Sequence, residues 1–370
     1  MRTKAAVLYG INEPLVIEEV EIDDPKDREV LVRMTATGVC RSDLSAARGF
    51  ARPHLPVILG HEAAAEVVKC GPGVTRVKPG DRVVLSWAPN CGHCFYCLEA
   101  RPTLCDTYTE AAGIGALWDG TGRIRTPGGE KIHHFSQVSS FAEHMVVPEN
   151  GCVPIHPEIP ATIAALVGCA VTTGYGAAVN DANVRAGSSV AIWGVGGVGL
   201  NALMGAKVRG PAIIIGVDVN PEKEAVAKRF GATHFVNPRE VEDVPAAIRE
   251  LTEGRGADYT IECSGRPEAI EQAYHSARRG GTVVPVGEAR KEETVTLPAR
   301  LLPDEQKRIV GSYYGGGVPE RDFHQILGLY RRGLLDLDAL VGETMPLELI
   351  NDGFRMLDEG VETRSVVVFD

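Results

Sequence analysis

Four cysteines, Cys91, Cys94, Cys97 and Cys105, stand within fifteen residues in the pattern C-x2-C-x2-C-x7-C. Four thiolates so close together make a closed tetrahedral zinc site, which braces a loop and leaves no position open for a substrate. A set of free thiols and a nucleic-acid zinc finger are the alternatives. The finger is disfavoured because no basic helix stands beside the cluster.

Three further residues have the chemistry for a second, reactive metal site. Cys40 lies in Gly38-Val39-Cys40-Arg41-Ser42-Asp43, His61 in Gly60-His61-Glu62, and Cys169 in Gly168-Cys169-Ala170. Singly, each has a plain reading: a buried cysteine is usually a small hydrophobe, and a histidine after glycine is usually a hydrogen-bonded turn residue. Together, two thiolates and one imidazole with a fourth position left to water form a catalytic zinc site. The gaps of 21 and 108 residues cannot join them, so both readings stand on the residues alone.

The third constellation is Gly194-Val195-Gly196-Gly197-Val198-Gly199, a G-x-G-x-x-G run. Glycine is needed where backbone must approach a pyrophosphate at the positive end of a helix. Asp218 follows nineteen residues after Gly199. A carboxylate there accepts from a ribose 2′-hydroxyl and repels a 2′-phosphate, which points to NAD rather than NADP.

These residues need elements to hold them. The first 150 residues carry short apolar runs at 30–34, 63–68 and 82–85, separated by turn clusters such as Gly71-Pro72-Gly73 and Lys78-Pro79-Gly80. Short strands broken by such turns predict a barrel-like fold. From about residue 185 strand and helix alternate: strands at 189–193, 212–217, 259–263 and 282–286, helices at 198–208, 221–230 and 267–278. That alternation predicts a doubly wound parallel sheet with the glycine run at its first turn. The tail from about 313 returns to mixed structure and ends on a strand-like stretch at 365–369.

Composition narrows the partners. The chain has 370 residues and a net charge of −11, so its surface repels phosphate backbones and anionic lipid, and neither nucleic acid nor a membrane is an expected partner. Two uncharged stretches, 159–180 and 186–206, reach the length of a membrane span. Both are diluted by Gly, Ser or Thr and read better as buried core. The apolar run after Arg2 and Lys4 is too short for a secretory leader. A reducing, cytoplasmic setting is expected, where clustered cysteines hold metal rather than pair.

Taken together, the Gly60-His61-Glu62 turn, the four-cysteine loop, Gly194–Gly199, Asp218 and the segment Asp119-Gly120…Ile132-His133-His134-Phe135 resemble the zinc-dependent medium-chain alcohol dehydrogenase family over essentially the whole chain. The last segment is similar to the long insertion of the dimeric branch. The resemblance implies an α/β protein with a GroES-like β-rich catalytic domain at 1–170 and 313–370, a Rossmann domain at 171–312, and an active cleft between them. It implies a homodimer, NAD, and two zinc ions per chain. It also implies reversible oxidation of primary or secondary alcohols, aliphatic or aromatic, to aldehydes or ketones. A polyol or sugar dehydrogenase and a non-catalytic nucleotide-binding relative are the alternatives.

Roles follow from the same resemblance. Cys40, His61 and Cys169 would hold the catalytic zinc, with Glu62 behind it and Asp43 orienting His61. Cys91, Cys94, Cys97 and Cys105 would hold the structural zinc. Ser42 matches the hydroxyl that accepts the substrate proton. Arg41 and Arg364 match cations near the pyrophosphate, Lys223 a lysine near the adenosine ribose, and Thr173 and Val198 residues near the nicotinamide. For the three cations a solvated surface charge is the alternative. The chain departs from the family at Ser45, where the best-known members end their proton relay in histidine. Thr109 stands in place of an arginine, and Ala51 in place of an acid, that class III members carry for a glutathione adduct, so that substrate is disfavoured. Trp87 falls where an aromatic lines the substrate pocket, although packing explains it equally well.

Overall fold

The computed structural model describes every residue except Ala51 and 361–363, so the departure noted at Ala51 lies outside the described residues. The chain divides into two compact units, Met1–Cys169 with Val318–Gly333 and Leu337–Asp370, and Ala170–Gly317 with Leu334–Asp336.

The first unit is built from strands. Arg2–Leu8, Val16–Ile22, Ile124–Arg125, Lys131–His134 and Val57–Ile58 close into a barrel. A second sheet runs Cys152–Pro154, Arg82–Leu85, Glu62–Cys70, Glu29–Gly38, Arg364–Val368 and Val341–Met345, with His144–Pro148 also paired to Glu29–Gly38. Glu29–Gly38 is a central strand. Val30, Val32, Met34 and Ala36 are buried on one face, while Arg33 and Thr35 on the other are only half-buried, the alternation of a strand with one face on the core. One core of apolar side chains, from Ala5 and Val7 through Leu59, Leu85 and Phe141 to Val367, fills this unit.

The second unit is a six-stranded parallel sheet in the order His234–Val236, Ile213–Val217, Ser189–Trp193, Ala257–Glu262, Ala277–Pro285, Arg308–Ile309. Counted along the chain this is 3-2-1-4-5-6, the doubly wound dinucleotide-binding order. The expected strand at 189–193 is met to the residue, and the helix after it is Gly197–Arg209. The helix expected over 267–278 stops at Ser276. Ala277 already pairs with Ala257, and a bulge absorbs Arg278 to Gly281 before Thr282 meets Tyr259.

Neither uncharged stretch is lipid-facing in its packing. Ala161–Asp181 is one helical run long and apolar enough to cross a membrane, but most of it is buried inside the protein. The other stretch is the Ser189–Trp193 strand, the glycine turn and its helix.

Candidate metal and nucleotide sites

The sulfur and nitrogen donors of Cys40, His61 and Cys169, with a Glu62 carboxylate oxygen, lie within 4.8 Å of one another, and all four residues are buried. Each arrives from a different element. Cys40 ends the loop after Glu29–Gly38 and starts the short helix Arg41–Ala47. His61 sits in the turn before Glu62–Cys70. Gly60 makes that turn with φ +91°, a conformation L side chains rarely adopt, and a Cβ on it would strike Phe141 and Ser140. Cys169 lies on Val167–Val171, where the long helix widens to a π-helical turn. Such turns concentrate at functional sites.

One carboxylate ties two of these elements together. Asp43, fully buried, accepts through Oδ1 from His61 Nδ1 at 2.8 Å and from the Gly60 N–H at 3.0 Å, and through Oδ2 from the Cys40 N–H at 3.2 Å. With Nδ1 committed, the imidazole presents Nε2 to the sulfurs, which fixes the tautomer a metal needs. Burial opposes a charge on His61, but Asp43 and Cys40 outweigh it and raise the imidazole pKa well above its usual value. The hydrogen bond from Cys169 pulls the Cys40 thiol well below its usual range, Arg364 and His61 adding to the effect against burial. Two sulfurs, one of them already thiolate-like, and one oriented imidazole match the donor preference of zinc.

Behind them, Glu62 and Arg364 form a buried ion pair of 2.6 Å. Burial lifts the Glu62 carboxyl to about 8, although Arg364 pulls it down. The same guanidinium donates to the Val39 carbonyl at 3.2 Å and lies 3.6 Å from Cys40 Sγ. Gly38 makes the room, since a Cβ there would lie 2.1 Å from the Glu62 Oε2 position and 2.9 Å from Leu166. Of the cations weighed in the sequence, Arg364 is thus buried on Glu62, whereas Arg41 is exposed, 3.7 Å from Asp358. Ser42 and Ser45 are half-buried on the same helix as Arg41.

Aromatic rings stand beside His61. Phe135 meets it edge-on at 5.9 Å, Trp87 at 6.3 Å, and Tyr108 meets Trp87 at 5.9 Å. Nothing local in the sequence distinguishes Tyr108 and Phe135 from ordinary core residues.

The four clustered cysteines also converge within 4.8 Å. Sγ atoms of Cys91 and Cys97 are 3.9 Å apart and those of Cys94 and Cys105 4.0 Å. Backbone N–H groups of Cys91 and Cys94 donate to Cys105 Sγ and Cys91 Sγ, each at 3.3 Å. Such bonds stabilise thiolates: burial pushes the Cys91 thiol up, but hydrogen bonds including those from the His93 and Cys94 backbone bring it down to about 6.

In the second unit, the strand Ser189–Trp193 runs into Gly194 at φ +77°, and Gly196 caps the helix Gly197–Arg209. A Cβ on Gly199 would lie 2.0 Å from the Gly194 carbonyl, so no side chain fits there, whereas nothing comes within 4 Å of the Cβ position on Gly196. The loop thus has close internal packing and bare backbone outside, a cradle for a pyrophosphate. Asp218, at the end of Ile213–Val217, accepts from the Val195 N–H at 2.8 Å and the Asn220 N–H at 3.0 Å, and lies 3.5 Å from Lys223 Nζ. Thr173 belongs to Thr172–Gly176, and a Cβ on the next residue, Gly174, would lie 2.0 Å from the Val198 carbonyl. The helix of Thr173 therefore packs backbone-to-backbone on the first turn of the loop helix that carries Val198.

The arrangement defines a zinc- and dinucleotide-dependent dehydrogenase, and comparison with known proteins agrees. Residues 26–157 match the alcohol dehydrogenase GroES-like domain and residues 197–332 the zinc-binding dehydrogenase family. The chain is 39% identical, over the whole of both sequences, to alcohol dehydrogenase class-3 of Cereibacter sphaeroides. It is 37% identical, again over both whole sequences, to S-(hydroxymethyl)glutathione dehydrogenase of Paracoccus denitrificans. Its fold matches the crystal structure of benzyl alcohol dehydrogenase from Acinetobacter calcoaceticus with a TM-score of 0.94 and 32% identity, covering both chains entirely. The chain belongs to the zinc-dependent medium-chain alcohol dehydrogenase family, and is an NAD-dependent alcohol oxidoreductase.

Proposed function

We propose that the chain oxidises primary alcohols bearing an aromatic ring to aldehydes, reversibly, with NAD+ as acceptor. The observation that carries this is the wall of Phe135, Trp87 and Tyr108 beside an oriented His61. Rings prefer edge-to-face contact, worth about 1 kcal/mol beyond burial, so an aryl substituent gains there what a short alkyl chain does not. In this reading one zinc sits on Cys40, His61 and Cys169, and a second sits on Cys91, Cys94, Cys97 and Cys105. At the first site zinc supplies Lewis acidity toward the alcohol oxygen, while NAD+ supplies a hydride acceptor.

The chain's own groups do the rest. Asp43 holds the His61 tautomer, Ser42 takes the substrate proton, and Glu62 with Arg364 places a compensated charge pair behind Cys40. Gly194, Gly196, Gly197 and Gly199 cradle the pyrophosphate. Asp218 and Lys223 take the adenosine ribose, Thr173 and Val198 the nicotinamide, and Arg41 the phosphates. The domains are 1–170 with 313–370 for catalysis and 171–312 for NAD, and the protein works as a cytoplasmic homodimer.

A glutathione adduct is the second reading, favoured by the name of the Paracoccus denitrificans relative. Against it, Thr109 offers no cation, and its hydroxyl donates to the Cys105 carbonyl at 2.9 Å. The experiment is NADH formation followed in ultraviolet light with benzyl alcohol, ethanol, sorbitol and S-hydroxymethylglutathione. The proposal requires benzyl alcohol to have the highest kcat/KM; a preference for the glutathione adduct or for sorbitol would overturn it.

A further inference from the structure

The insertion-like segment contains a side chain that the proposed chemistry does not use. Arg123 is completely buried, rare for a guanidinium. It forks onto Glu29, Nε to Oε2 at 2.8 Å and Nη2 to Oε1 at 2.5 Å. Nη2 also reaches Asp119 Oδ2 at 2.8 Å, and Nη1 the Thr121 hydroxyl at 2.5 Å and the Gly122 carbonyl at 3.0 Å. Lys26 completes the cluster on Asp119 at 2.9 Å. A buried cation persists only when paired this fully. Glu29 begins the strand that leads to Cys40, so the cluster fastens the insertion to an element of the metal site.

From Arg123 the connection runs to an aromatic ring. The Arg123 backbone N–H donates to His134 Nε2 at 3.1 Å. His134 is buried and ends the strand Lys131–His134, which lies parallel to Val57–Ile58. Phe135 comes next, with its own N–H on the Ser139 hydroxyl at 2.9 Å, and its ring stands edge-on to His61. Phe135 thus follows a residue whose imidazole is held by the Arg123 segment, while its own N–H and its carbonyl, which accepts from the Val138 and Ser139 N–H groups at 3.1 Å each, are fixed on the other side.

We propose that Arg123 is a positioning residue for substrate choice: by clamping the insertion to Glu29 and Asp119 it holds Phe135 at the distance from His61 that an aryl alcohol requires. This rests on the aromatic-alcohol reading above. A small displacement of a pocket wall penalises the ligand that fills it and spares one that does not touch it.

The test uses the zinc-loaded enzyme with Arg123→Met, and with Arg123→Met/Glu29→Gln, which removes both buried charges. Arg123→Lys keeps the charge, loses the fork, and gives the same readout if the others do not fold. The proposal expects KM for benzyl alcohol to rise about tenfold with kcat within about twofold and ethanol within about twofold. In a Phe135→Ala background the Arg123 substitution adds nothing further for benzyl alcohol, because the ring it acts through is gone. Equal losses for both alcohols, or additive effects with Phe135→Ala, overturn it. If the wild type turns over neither alcohol, the functional reading fails. Benzyl alcohol binding followed by tryptophan fluorescence then decides, an affinity unchanged by Arg123→Met, or absent in the wild type, overturning the positioning role.

Discussion

Asp43 and His61 meet at 2.8 Å through Oδ1 and Nδ1, both side chains shut away from water. The same carboxylate also takes the Cys40 and Gly60 N–H groups, so one residue sets both a ring orientation and the spacing of two loops. Asp43→Asn keeps the size but loses the charge and one acceptor. Removing such an outer partner costs about 10–100-fold in metal affinity. Zinc retained after dialysis against graded chelator will fall by that factor at the Cys40 site, while the four-cysteine site keeps its metal.

Cys169→Ser replaces a soft sulfur donor with a hydroxyl at a site otherwise unchanged. Elemental analysis will find one zinc per chain instead of two, and turnover will be lost. Full activity in this variant would refute the assignment of the three-donor site.

The four-cysteine loop makes the complementary prediction. Cys97 lies on the short helix Phe95–Leu98, where Phe95 and Leu98 are 68% and 74% exposed, so on the proposed assignment a metal would hold this loop together. Cys97→Ser will also leave one zinc per chain, but the loss will appear first as a lower melting temperature and faster proteolysis within 91–105.

His134 supplies a pH test. Burial, with the Arg123, Lys131 and His133 charges adding, pushes its imidazole down to about 3, against about 6.5 in an unfolded chain. Between these values the unfolded state binds the extra proton, so the stabilisation is whole above pH 6.5 and is lost as pH falls toward 3. His134→Gln, which keeps an acceptor without a proton to gain, will flatten that acid limb in urea titrations at pH 4–7. An unchanged slope would show that His134 does not contribute.

Asp218 makes the fifth. On the proposed ribose role, Asp218→Ser would remove an acceptor for the ribose and the charge that repels a 2′-phosphate, and it also removes the carboxylate that takes the Val195 N–H. KM for NAD+ will rise by about tenfold or more, while NADP+ becomes a usable acceptor. Steady-state kinetics with the two dinucleotides check both parts.

Legibility in the sequence followed how local each feature is. The glycine loop and the clustered cysteines are complete within fifteen residues or fewer, so spacing alone describes them. Cys40, His61 and Cys169 are brought together by a strand end, a glycine turn and a helix, and only the family resemblance joined them. The π-helical turn at Cys169 leaves no periodic mark, since Ala, Val and Gly suit an α-helix and a π-helix alike. Arg123 and Glu29 are 94 residues apart and look like ordinary surface charges until the barrel closes over them. Arg364 shows a related difficulty: its type announced a cation, but its partner, Glu62, lies 302 residues earlier.

That last pairing has a consequence for how the protein is made. Residues 364–368 form a strand against Glu29–Gly38, so the guanidinium that neutralises Glu62 leaves the ribosome 195 residues after Cys169. Until then a nascent chain that gathers its sulfurs and imidazole does so without the guanidinium that pairs with Glu62. Emergence of the Arg364 strand, rather than synthesis of the ligands, is therefore the event that gives Glu62 its partner.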